Sequence, residues 1–100
     1  MEVNARDATV LAFAADYFAM LDQETQARQD MARALAIAPK DADVLFRAAI
    51  LSNHFGEKES TLNFLRRAVD AGCSKTQIRD TPDFDRLQSQ PDFRRILADP

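Results

Sequence analysis

Shifted against itself by about 34 residues, the chain meets its own pattern. Ala8 falls on Ala42, Leu11 on Leu45, Ala14 and Ala15 on Ala48 and Ala49, and Ala34 on Ala68. Asp22 falls on Gly56, where each unit has to turn. The apolar positions inside each unit recur at helical spacing, so each unit reads as two helices joined by a short turn. One helical hairpin is written twice. A single hairpin of this length cannot bury its apolar stripe alone, so the two must stack, and the ends of the stack need capping.

The local signals divide each unit. Asp7 reads as the cap of a first helix, "ATVLAFAADYFAML", with Leu11, Ala14, Ala15, Phe18 and Leu21 on one face. Asp22-Gln23 breaks that pattern. A second helix, "ETQARQDMARALAIA", carries Ala27, Met31, Ala34 and Leu35 as a stripe and ends at Pro39, which cannot continue it. Asp41 caps a third helix with Leu45, Ala48, Ala49 and Ser52 on one face, and Gly56 ends it. The fourth aligns Thr61, Leu65, Ala68 and Val69 and closes at Gly72.

Composition agrees with an all-α chain. The apolar residues, 46% of the total, are dominated by Ala, Leu and Phe, with two Gly and no Trp. Ala and Leu are strong helix formers, and β-branched residues are scarce. A net charge of −3 with a pI near 5.0 offers no basic surface to neutralise phosphates, which argues against nucleic acid as a partner. No apolar run approaches the roughly 20 residues of a membrane helix, and "MEVNARDATV" lacks the charged-then-apolar pattern of a signal peptide. Direct membrane contact is not expected. The single Cys73 cannot form an internal disulfide.

On these residues the two units resemble tetratricopeptide (TPR) repeats. The early large apolar residue of that family is matched by Leu11 and Leu45, and the following small residues by Ala14-Ala15 and Ala48-Ala49. In the second helix of each pair the small residue is Ala27 or Thr61, the bulky one Met31 or Leu65, and the alanine Ala34 or Ala68. Pro39 stands at the closing proline, and Cys73 replaces it in the second unit. Further departures are the missing Trp and Ser52 where an aromatic is usual. The resemblance implies a right-handed α-solenoid with repeat units at residues 8–41 and 42–75, after a tail or linker at 1–7 and before capping helices at 76–100.

The tail writes Pro-Asp-Phe twice, at residues 82–84 and 91–93. Ser74 can cap one short turn of helix, with Gln77 placed for a capping box. Pro82 and Pro91 each suit a first helical turn, and Asp83 and Asp92 add negative charge at the positive helix end. Phe84 with Leu87, and Phe93 with Ile96 and Leu97, then make small apolar faces for the exposed side of the fourth helix. This reads as a structural cap rather than a duplicated ligand motif. The tail also resembles one found after the last repeat of bacterial signalling proteins, Ser/Thr kinases with C-terminal TPRs among them.

Catalytic signals are missing. His54, the single histidine, has no second His or Cys at ligand spacing, and Cys73 has no neighbour that would lower its thiol pKa. Asp80, Asp83 and Asp85 lack the glycine and terminal glutamate of a calcium loop. Two glycines cannot supply a phosphate loop or a dinucleotide fingerprint. The expectation is a non-catalytic protein–protein interaction module with no metal and no cofactor, forming the C-terminal part of a larger bacterial signalling protein. The competing reading is a regulatory or structural segment of a multidomain enzyme such as a Ser/Thr kinase, with catalysis upstream.

By resemblance, the first helix of each pair lines a concave groove for a protein or peptide partner. That assigns Thr9, Ala12, Asp16, Ala19 and Met20 from the first unit and Asp43, Phe46, Ile50, Asn53 and His54 from the second. Phe46 and Ile50 would be an exposed anchor pair unless the cap covers them. The family members that clamp chaperone carboxylate tails use Lys and Asn where Ala12 and Asp16 stand here, which argues against that ligand. Phe13, Tyr17 and Met20 make the first helix apolar on a second side, so it expects a neighbour there, either a preceding repeat or another copy of the chain.

Overall fold

The computed structural model describes residues 5–98, with side chains from Asp7 onward. Among these residues there are helices and no strands. The order is α1 (Ala5–Met20), α2 (Glu24–Ile37), α3 (Ala42–His54), α4 (Lys58–Asp70), α5 (Lys75–Arg79), a 3-10 helix (Pro82–Leu87) and α6 (Pro91–Ala98). α1 packs on α2 and α3 on α4, making two hairpins; α1 against α3 joins them, with a smaller contact between α2 and α3. The C-terminal elements close the far side, the 3-10 helix on α3 and α6 on α4.

The turns explain why the hairpins keep the same register. After α3, the Gly56 N–H donates to the Asn53 carbonyl at 3.0 Å and the Glu57 N–H to the Ser52 carbonyl at 2.9 Å. Those are the two bonds of a Schellman motif, with Gly56 at φ 74°. α1 ends the same way, Asp22 to Ala19 and Gln23 to Phe18, with Asp22 taking φ 61° in glycine's place. α4 repeats the motif through Gly72 and Cys73. α2 ends differently, at Ile37, with Ala38 as its cap and Pro39 next. At the helix starts, Asp41 accepts from the Val44 N–H at 3.1 Å and Ser74 from the Gln77 N–H at 3.3 Å. α1 corrects the sequence reading: it begins at Ala5, so Asp7 lies in the first turn and residues 5–7 are helix rather than tail. The remainder of that tail, residues 1–4, and the end of the cap, residues 99–100, lie outside the described residues.

Two apolar clusters fill the stack. The first joins hairpin one to α3: Ala8, Ala12, Ala15 and Ala19 of α1 meet Ala27, Met31 and Ala34 of α2 and Val44, Ala48 and Leu51 of α3. Alanines along α1 let helices approach closely on two sides. The buried stripe therefore runs one position away from the expected one, leaving Leu11 and Phe18 half-buried and Leu21 48% exposed. The second cluster joins α3 and α4 to the cap through Leu45, Phe46, Ala49, Leu62, Leu65, Ala68, Ile78, Phe84, Leu87, Phe93 and Ile96. Both phenylalanines of the repeated Pro-Asp-Phe are fully buried there. Polar contacts hold the cap in place. Asn53 Nδ2 donates to the Asp83 carbonyl, and Lys58 Nζ to Gln90 Oε1 at 2.7 Å.

Candidate functional site

The expected groove residues do not share one surface. Ala12 is fully buried and Ala19 nearly so, within the α1–α3 cluster. They are part of the helix contact and cannot line a groove. Phe46 is 5% exposed, its ring meeting Phe84 edge-on at 6.1 Å between centroids, and Ile50 is half-buried against the same cluster. The anchor pair is therefore occupied by the cap. Asn53 is also spent on the cap through Asp83. Thr9 is half-buried, while Met20 and His54 are exposed, His54 against the Phe55 ring.

Asp16 and Asp43 do come together, and the side chain that joins them is Arg47. Its guanidinium lies over the Phe13 ring, 3.6 Å from the centroid. From there Nη1 reaches Asp16 Oδ2 at 3.7 Å, and Nε reaches Asp43 Oδ2 at 3.4 Å. The Asp16 and Arg47 side chains keep 19% and 22% of their surface, so this ion pair is mostly withdrawn from water. α1 supplies Phe13 and Asp16, and α3 supplies Asp43 and Arg47. Stacking the two hairpins builds the cluster. Sequence reasoning missed Arg47, although the Asp43–Arg47 spacing of four on a helix is a pairing signal.

The second Asp16 oxygen, Oδ1, is buried without a hydrogen-bond partner. Burial is the main reason that the Asp16 carboxyl is raised from 3.8 to about 6; Arg47 opposes the rise, and the negative charges of Asp83 and Asp43 add to it. An orphaned carboxylate oxygen in such a place costs stability until a donor reaches it. The sign of the pH dependence follows. The folded chain holds this proton more tightly than the unfolded one, so the stability it confers is complete below pH 4 and is lost as pH rises through about 6. A displacement of that size corresponds at most to roughly 3 kcal/mol, and residual water around the pair reduces it to about 1–2 kcal/mol. Asp16→Asn should therefore gain about 1–2 kcal/mol relative to the parent between pH 4 and pH 7, measured by urea unfolding. A parent–variant difference that does not change with pH would contradict the assignment.

Elsewhere the chemistry is quiet. The Cys73 thiol is pushed up by burial and by the charge of Asp43, away from the reactive range. An open cleft of about 770 Å³ between α4, α5 and α6 is lined in part by Arg66, Lys75 and Arg95, one from each helix. Arg95 is 78% exposed and leans toward Asp92 at 3.8 Å. Among the described residues, no group of three or more His, Cys, Asp or Glu side chains is arranged to hold a metal. No described helix is long and apolar enough to cross a membrane. Compared with protein-family models, curated proteins and solved structures, the chain matches none.

Proposed function

We propose that this chain is a non-catalytic protein–protein interaction module built from two TPR-like hairpins and a helical cap. Support for the TPR-like stack comes from the register. α3 and α4 begin where α1 and α2 would after the repeat shift, allowing for the early start of α1, and the turns at Asp22 and Gly56 take the same left-handed conformation. The partner is a protein segment laid across α1 and α3.

The observation that carries this reading is Asp16. Its Oδ1 is buried and unpartnered, while the 42% exposed Asp43 carboxylate lies on the other side of Arg47, so a cationic partner side chain that pairs with Asp43 also offsets the undercompensated negative charge of Asp16. Selection of peptides from a randomised display library against this chain should yield binders that are weakened in both Asp43→Asn and Asp16→Asn. Selections that enrich nothing, or binders indifferent to both substitutions, would overturn the reading.

A further inference from the structure

A second surface carries a different consequence. Val10, Phe13, Tyr17 and Met20 of α1, with Leu21 just after it, form one stripe and are 62%, 52%, 61%, 78% and 48% exposed. On α3 the counterparts of Val10 and Tyr17 are Val44 and Leu51, which are 0% and 5% exposed against hairpin one. That face of the repeat is built to be covered by helices. On α3 it is covered, and on α1 it lies open.

We infer that a second copy of this chain covers it, α1 against α1, in a closed two-fold dimer. The opposite end of the stack is sealed by the 3-10 helix and α6, so copies cannot add head to tail through their core faces. Like face must meet like face, which closes at two. The five side chains of the stripe are uncharged, and the charge nearest to them, the Arg47 guanidinium over the Phe13 ring, is paired with Asp16 and Asp43. With the helices antiparallel about the level of Ala15, Val10 of one copy lies opposite Met20 of the other and Phe13 opposite Tyr17. Five such side chains offer on the order of 500 Å² per copy, and the roughly 1,000 Å² from both reaches the lower bound for a specific interface. Phe13 is shared with the Arg47 cluster, but the inference does not rest on the Asp16 carboxylate, and Asp16→Asn should leave the dimer intact.

Sedimentation equilibrium of the chain at micromolar to millimolar concentration should give twice the 11.2 kDa chain mass. Val10→Glu with Met20→Glu, and separately Val10→Lys with Met20→Lys, should each sediment as a single chain with a helical spectrum and cooperative melt like the parent's. An equimolar mixture of the two variants should return to the dimer mass, because each acidic side chain then faces a basic one. A parent that stays at its single-chain mass, variants that still dimerise, or a mixture that does not re-pair overturns the two-fold α1 interface.

Discussion

Truncating either phenylalanine of the repeated Pro-Asp-Phe, Phe84→Ala or Phe93→Ala, should cost about 3–5 kcal/mol of stability. Both rings are fully buried. Phe84 meets Phe46 edge-on at 6.1 Å and Phe93 at 6.3 Å, within a cluster that also holds Leu62 and Leu65 of α4. Neither short helix can persist alone, since helices below about 12 residues are marginal in water. The two phenylalanines are the largest side chains that bind them to the stack, beside Leu87, Ile96 and the Asn53 and Lys58 hydrogen bonds. The cost is a large share of the roughly 5–15 kcal/mol that holds a domain together. For about 100 residues it should lower the melting temperature by at least about 12 °C. The rings touch, so the double substitution should cost less than the sum of the singles. Gln29→Ala, at an exposed site on α2, is the control and should change stability by no more than about 0.5 kcal/mol. Urea unfolding in which Phe84→Ala or Phe93→Ala lost under about 1 kcal/mol would contradict a structural cap.

This cap was legible in the sequence because its signals are local: a proline where a helix starts, an aspartate beside it, and an apolar residue next. Ser74, Asp41, Gly56 and Gly72 were legible for the same reason, each satisfying backbone groups within a few residues of itself. Asp7 shows the limit of such signals. A carboxylate is as well placed in the first helical turn as at the cap, so its presence does not fix the first residue.

The groove was less legible. Ala12 and Phe46 occupy equivalent places in the two units and are both buried, for different reasons. Ala12 belongs to the contact between hairpins, while Phe46 lies beneath the 3-10 helix. Which repeat positions face water depends on what packs outside each hairpin, and helical periodicity does not contain that. Arg47 was hidden similarly. Its pairing with Asp43 is local, but its contacts with Phe13 and Asp16 exist only after the hairpins stack.

The small residues shared by the two units yield the second large effect. Ala49 is fully buried among Leu45, Phe46, Leu65 and Ala68, in the cluster between α3, α4 and the cap. A leucine there adds three carbons where the neighbouring side chains are already packed. The space must come from strained rotamers or from moving α3 away from α4, and overpacking of this kind costs about 1–3 kcal/mol. Ala15, its counterpart in the first unit, is equally buried, so Ala15→Leu should behave alike. Ala32 on α2 is exposed, and Ala32→Leu should stay within about 0.5 kcal/mol of the parent. Intrinsic helix propensity barely separates alanine from leucine, so a gap between the buried and exposed substitutions reports packing rather than helix formation. The comparison requires thermal or urea unfolding of all three variants. If Ala49→Leu and Ala15→Leu unfold with the parent, these alanines are not points of close helix approach, and the repeat register built on them is wrong.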